Sequence, residues 1–167
     1  MPSPVELLQE ASKYAQTLTE IRRDLHQIPE FGLNLPKTQQ RILDSIHGLG
    51  DIHLGKDLNS IGLVIKGGKP GPTILLRADM DALSVKEETG LAYASTNGFM
   101  HACGHDLHMA AGIGAAHLLA THKALLCLVL GILWILRTVF FTSLSFLNFG
   151  SAGSLLAGSS ASFTLSS

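Results

Sequence analysis

The residues best suited to metal chemistry lie in one short stretch, HACGHDLH over residues 101–108, which holds three histidines, a cysteine and an aspartate. Cys103 and His105 are two positions apart, so their side chains can converge on one ion where the backbone is extended or turns. Thiolate and imidazole ligands suit zinc, cobalt, nickel, manganese or iron(II). The alternative is a small buried cysteine beside histidines that cap a helix. The density of ligand-type residues favours the metal site.

A second pair of candidate groups is Asp79 and Asp81, in LLRADMDAL over residues 75–83. The apolar run before them predicts a strand, on which a spacing of two places both carboxylates on the same face. Ligands of α/β sheets bind at the carboxyl ends of the strands. Such a pair more often caps a strand or forms the turn after it. Together with the Cys/His stretch, however, the pair favours a metal site.

Helices and strands in succession must position these groups. Residues 3–28 keep a helical apolar period, which predicts one helix that Ser3 and Glu6 cap and Pro29 ends. A second helix is expected after Pro36, with Gly48 or Gly50 as its stop, and another from about Asp106. Between them lie three strand-like runs: DIHL, SIGLVIKG and TILLRADMDAL, of which the last reads as buried. This order predicts an α/β fold with helices packed on a mixed sheet.

Charge and cysteine content narrow the class of protein. The 167 residues carry 12 Lys+Arg and 13 Asp+Glu, so no broad positive field favours nucleic acid. The two cysteines, Cys103 and Cys127, lie in very different surroundings, which is typical of a reducing compartment and predicts a cytoplasmic protein. Glu6 and Glu10 lie where an export signal would be apolar, so no such signal is expected.

The composition changes near Lys123. All 13 acidic residues lie at or before Asp106; residues 124–149 are almost wholly apolar, and residues 150–167 are rich in Ser, Gly and Ala. We therefore expect a unit over 1–123 and an unrelated tail over 124–167. An apolar run of this length can span a bilayer, which takes about 20 residues. The charge of Arg137 in its middle favours instead a segment that collapses onto the core.

Three stretches, in this order and spacing, resemble the metallopeptidase-type amidohydrolases: RRDLHQIPEFG (22–32), LLRADMDALSVKEETG (75–90) and MHACGHDLHMAAGIGAA (100–116). That group includes hippurate hydrolase, N-acyl-amino-acid amidohydrolase (aminoacylase) and plant auxin-conjugate hydrolases. The resemblance covers roughly residues 5–123. It implies the N-terminal part of a zinc-peptidase-like catalytic domain, which hydrolyses the amide bond of a small N-acyl amino acid. It also implies a two-metal centre of manganese, zinc, cobalt or nickel.

The resemblance also assigns roles to residues. Cys103 and His105 are the implied metal ligands, and Asp81, the residue given a catalytic role, matches the acidic position that orients a ligand. Asp79 lies where related peptidases carry a ligand histidine. Residues expected to support the ligands without binding the metal are Asp79, Asp106 and His108. The first stretch, RRDLHQIPE, is expected to be structural.

The sequence departs from the family pattern after the helix. The family has a Glu-Glu pair there and histidines further on, whereas this chain reads ALLCLVLGILWILRTVFF and has no Asp or Glu after Asp106. We therefore expect a truncated catalytic domain, without the family's dimerisation domain, that does not turn over. The alternative is a non-catalytic remnant that binds metal weakly or associates with membrane through residues 124–149.

Overall fold

The computed structural model describes residues 2–135 as helices packed on a four-stranded sheet, which confirms the α/β class. The helices are α1 (Pro4–Lys13), α2 (Ala15–Gln27), α3 (Pro36–Ile46) and α4 (His105–Thr121), and the strands are β1 (Asp51–Leu54), β2 (Ile61–Lys66), β3 (Thr73–Asp79) and β4 (Val129–Ile135). A single 3₁₀ turn, Lys123–Leu125, joins α4 to β4. No helix in this described part is long and apolar enough to cross a membrane.

The sheet is mixed, with strand order β1-β2-β4-β3. β2 pairs antiparallel with both β1 and β4, whereas β3 and β4 are parallel, in a register that sets Leu76 opposite Ile132. Two parallel strands need a long crossover between them, and here the crossover contains α4. α4 therefore lies over β3 and β4, and α2 and α3 pack against it in turn.

Strand β4 comes from the segment that the sequence assigns to the tail. Its residues Leu130, Ile132 and Trp134 are buried in the core, between β2 and β3. The apolar residues after Lys123 thus complete the sheet, at least as far as Ile135. Where an unrelated segment begins stays a prediction, and β4 supports placing that boundary after Ile135.

Helix α4 approaches the sheet closely because of its small residues. A Cβ atom added at Gly112 would lie 3.0 Å from Nε1 of Trp134 and 3.3 Å from Cβ of Ala78. Met109 and Ile113 of the same helix are fully buried. The glycine therefore sets how near the helix lies to β3 and β4, and so where its first turn stands relative to the end of β3.

The predicted helix over 3–28 is wrong in one respect, because the chain forms two helices that meet at Tyr14. The hydroxyl of Ser12 donates to the carbonyl of Leu8, a side-chain contact that bends helices. The predicted capping box of Ser3 and Glu6 is confirmed. So is the start of α3 at Pro36.

Strand β3 is less buried than its sequence predicts. Ile74, Leu75 and Leu76 are 43%, 49% and 38% exposed, because β3 is the edge strand of the sheet that residues 2–135 form. Only at its carboxyl end, at Ala78, is the strand buried. That end is where α4 crosses it, and where the candidate site lies.

Candidate metal centre

One open pocket lies where β3 ends and α4 begins. α4 starts at His105, directly after Gly104, whose φ of +80° is a left-handed conformation that glycine adopts without strain. This turn brings the Cys/His stretch to Asp79, the last residue of β3. The pocket is lined by Asp79, Cys103, Gly104, His105, Leu107, His108 and Ala111.

Asp81 fixes the orientation of the His105 ring. Nδ1 of His105 lies 2.6 Å from the carbonyl oxygen of Asp81 and 3.3 Å from its Oδ1. A carbonyl oxygen can only accept, so Nδ1 carries the hydrogen and donates it. The lone pair of His105 is therefore on Nε2, which is the tautomer that a metal-binding histidine needs. The structure thus places Asp81 beside His105, and the role of Asp81 in orienting a metal ligand stays a prediction.

Asp79 lies between His105 and His108, the two histidines in the first turn of α4. Its Oδ2 is 3.9 Å from Nε2 of His105 and 3.7 Å from Nδ1 of His108, and its backbone N–H donates to that Nδ1. Arg77 donates through Nε to Oδ1 of Asp79 at 2.7 Å. Asp79 and His108 are thus part of the same pocket, and Asp79 is held there by an ion pair.

The donor atoms fit two ligands of a divalent metal. Cys103 is a free and exposed thiol, and His105 offers Nε2. Among residues 2–135, no group of three or more His, Cys, Asp or Glu side chains is arranged to hold an ion. A catalytic zinc usually has three protein ligands, so the described residues supply part of a ligand set.

Asp106 faces away from the pocket. Its Oδ2 accepts from Nε of Arg22 at 2.6 Å and lies 2.8 Å from Nδ1 of His26. The side chain is 1% exposed. The expectation that Asp106 supports the ligands stays a prediction, and any support must act through the backbone of α4, since Asp106 directly follows His105.

The RRDLHQIPE stretch makes structural contacts along its whole length. Arg22 and His26 bind Asp106, and the carboxylate of Glu30 accepts from the backbone N–H of Thr38 at 2.9 Å, in the first turn of α3. The carbonyl of Glu30 accepts from the N–H of Ala82, next to Asp81. The stretch therefore joins α2, α3 and the segment after β3.

Glu87 belongs to the same network, and the sequence did not indicate it. Its Oε1 lies 3.1 Å from Nε2 of His26, and its Oε2 accepts from the N–H of Ser95 at 2.6 Å. Burial raises the pKa of Glu87, but hydrogen bonds from Thr89, Ser95 and His26 outweigh it and hold that pKa at about 2. Glu87 lies in the stretch over residues 75–90, but the sequence indicates no role for it, because its contact with His26 joins positions far apart in the chain.

The remaining histidines of the stretch and of α4 lie outside the pocket. His101 is buried, and this burial lowers its pKa to about 4, so its ring is neutral at pH 7. Nε2 of His117 lies 2.8 Å from the carbonyl of Ser45, and Nε2 of His122 lies 2.7 Å from Oε2 of Glu10. The last two pack α3 and α1 against α4.

The residues that form this pocket lie in a segment that is similar in sequence to known proteins. Residues 75–135 match the model of Peptidase family M20/M25/M40, a segment that runs from β3 through β4. The N-acetyldiaminopimelate deacetylase of Bacillus cytotoxicus is 50% identical over 106 residues, which are 62% of this chain and 27% of that protein. The N-acetyldiaminopimelate deacetylase of Listeria innocua is 50% identical over 97 residues, which are 56% and 26% of the two chains.

Two solved structures share the fold. A protein described as an aminohydrolase from methicillin-resistant Staphylococcus aureus has a TM-score of 0.72 and 36% identity, over 79% of this chain and 34% of its own. A dinuclear metal binding peptidase of the M20 family from Bacillus subtilis has a TM-score of 0.68 and 35% identity, over 74% and 35%. The chain thus spans about a quarter to a third of the length of these relatives. Residues 75–135 are therefore similar to Peptidase family M20/M25/M40, and the chain resembles part of these longer relatives.

Proposed function

We propose that this site serves the metal-dependent hydrolysis of the amide bond in N-acyl amino acids. The observation that carries the proposal is the ring of His105, whose Nδ1 is bonded to Asp81 so that Nε2 is free to bind metal, in a pocket shared with the Cys103 thiol. The relatives named N-acetyldiaminopimelate deacetylase support a substrate with an acetyl group on the nitrogen of an amino acid.

The residues of the pocket would divide the work in the following way. Cys103 and His105 would hold the metal, which supplies Lewis-acid activation of water and of the amide carbonyl. Asp81 keeps His105 in the tautomer that binds metal. Arg77 pairs with Asp79 and holds its carboxylate at the edge of the pocket.

His108 is the pocket residue best placed to move a proton. Its side chain is half exposed, and its Nδ1 accepts from the backbone N–H of Asp79. The exchangeable hydrogen of the neutral ring is therefore on Nε2. An imidazole can act as a general acid or base, so His108 can serve the leaving nitrogen of the amide.

An assay of the 167-residue chain tests the proposal. N-acetyldiaminopimelate, N-acetyl amino acids and hippurate are incubated with the chain and with added manganese, cobalt or zinc. We expect only slow hydrolysis, which requires metal and is lost in Cys103→Ala, while His53→Ala, a change at an exposed histidine of β1, hydrolyses like the wild type. Hydrolysis that persists unchanged in Cys103→Ala would assign it to another site.

The second candidate is a non-catalytic remnant that binds metal weakly or associates with membrane through residues 124–149. Residues 129–135 of that segment are the central strand β4, and three of their side chains lie in the core. These residues form part of the sheet, which favours the hydrolytic proposal over a membrane anchor.

We further propose a cytoplasmic location, because Cys103 and Cys127 are both free thiols.

A further inference from the structure

Two residues of α2 bind the same carboxylate oxygen at the start of α4. Arg22 and His26 are four positions apart, so they share one face of α2. Nε of Arg22 donates to Oδ2 of Asp106 at 2.6 Å, and Nδ1 of His26 lies 2.8 Å from that same oxygen. Because Asp106 is the second residue of α4, these contacts hold its first turn against α2.

The same two side chains also hold the long connection between β3 and α4. Nε2 of His26 lies 3.1 Å from Oε1 of Glu87, and Nη1 of Arg22 donates to the hydroxyl of Tyr93 at 3.2 Å. Glu87 is in turn bonded to the N–H of Ser95. The connection, residues 80–104, is therefore fixed to α2 in its middle as well as at its end.

Arg22, His26, Glu87 and Asp106 form one cluster, and three of these four side chains are buried. The side chains of Asp106, Glu87 and His26 are 1%, 0% and 4% exposed. Each ring nitrogen of His26 lies within hydrogen-bond distance of one carboxylate, and the guanidinium of Arg22 pairs with one of the two. Removing one member of a buried ion cluster leaves its partner charge unpaired, which is strongly destabilising.

We propose that Arg22 and His26 are positioning residues of the metal centre, which fix the β3–α4 connection through Asp106 and Glu87 so that Cys103 and His105 converge. The inference rests on the proposed function, since it takes those two residues as ligands. Asp106 and His105 are adjacent in the first turn of α4, and only Gly104 separates His105 from Cys103. A shift of that turn would therefore move both donor atoms.

Cobalt(II) titration of the full chain tests the inference. A thiolate bound to cobalt absorbs in the near ultraviolet, so the band reports on Cys103 and needs no catalytic activity. We expect Arg22→Gln and His26→Gln each to bind cobalt about 10- to 100-fold more weakly, as is typical when a residue that orients a metal ligand is changed. His122→Gln is the matched control, because it breaks a similar 2.7 Å contact at the other end of α4. It should bind cobalt within twofold of the wild type.

The results of the cobalt titration distinguish a failure of the positioning role from a failure of the proposed function. Wild-type affinity in both Arg22→Gln and His26→Gln overturns the positioning role and leaves the metal centre in place. Equal losses in His122→Gln would also overturn it, since any loosening of α4 would then suffice. A wild-type chain without a Cys103-dependent band would refute the metal centre itself. If Arg22→Gln does not fold, Arg22→Lys keeps the charge but loses the planar fork, and it should still bind at least threefold more weakly.

Discussion

At the scale of single residues, the ability of the site to bind a metal depends on which side-chain atoms are not already hydrogen-bonded within the protein. His105 has two ring nitrogens, and the carbonyl of Asp81 occupies Nδ1 at 2.6 Å. Asp79 and Asp81 are both engaged, the first with Arg77 and the second with His105. We therefore propose the thiol of Cys103 and the imidazole of His105 as the donors, and such donors would suit zinc or cobalt better than magnesium or calcium.

The metal content of the purified protein tests whether Cys103 and His105 bind a metal. We expect the chain to bind a divalent metal weakly, and the double variant Cys103→Ala, His105→Ala to bind less of it, because both donors of the pocket are then gone. His53→Ala serves as the control, since His53 is exposed on β1. Elemental analysis after gel filtration makes the measurement. Equal metal content in the wild type and the double variant would reject these two ligands.

At the scale of elements, the distance between α4 and β4 depends on Gly112. A methyl group there would lie 3.0 Å from Nε1 of Trp134, a rigid and buried ring. Alanine gains up to about 1 kcal/mol in helix propensity over glycine, whereas overpacking a core costs about 1–3 kcal/mol. We expect overpacking to dominate, so Gly112→Ala should lower the free energy of unfolding by up to about 2 kcal/mol in urea titrations.

Gly114 of the same helix is the matched comparison. A Cβ atom there would lie 2.7 Å from Cδ1 of Leu18, the far end of a flexible and partly buried side chain. This methyl group can move aside, so Gly114→Ala should cost less than Gly112→Ala or be neutral. A larger loss of stability in Gly114→Ala than in Gly112→Ala would contradict the close packing of α4 against Trp134.

The contact of Glu87 with His26 predicts how stability depends on pH. The pKa of Glu87 falls from 4.5 to about 2 on folding, so its stabilising contribution is complete above the unfolded value. It is lost as the pH falls from about 5 towards 2, because the unfolded chain then binds the proton first. Glu87→Gln should unfold more easily at pH 7 and show a smaller change between pH 5 and pH 3. An identical pH profile in both proteins would count against this contact.

The elements show what the sequence predicts well and why the rest is missed. Local signals were reliable, as in the capping box of Ser3 and the start of α3 at Pro36. Composition did not predict β4 as a strand, because a strand paired on both edges and buried in the core has the same apolar sequence as other buried segments. Spacing found the pocket residues that are close to each other in the chain. Glu87 and His26 are 61 positions apart, and although each lies in a stretch that resembles the family, nothing in the sequence indicates that the two are in contact.

At the scale of the whole molecule, the crossover from β3 through α4 to β4 contributes to both the core and the site. β3, α4 and β4 form a parallel unit whose carboxyl end holds the pocket, and α2 and α3 cover α4 from the other side. The unit buries Trp134, Ile113 and Met109 in the same core cluster. The site is therefore built on the best-packed part of the described chain, whereas the exposed edge of β3 lies toward its other end.

The whole chain should nevertheless hydrolyse N-acyl amino acids far more slowly than its relatives. Acidic residues end at Asp106, and the two carboxylates of the site are engaged by Arg77 and His105. Without a free carboxylate base, we expect turnover about 10²–10⁴-fold below that of the Bacillus cytotoxicus N-acetyldiaminopimelate deacetylase assayed in parallel. His108→Gln should lower the residual rate further, since that imidazole is the remaining proton carrier in the pocket. Turnover of the wild-type chain equal to that of the relative, and lost in Cys103→Ala, would show that the engaged carboxylates or His108 suffice.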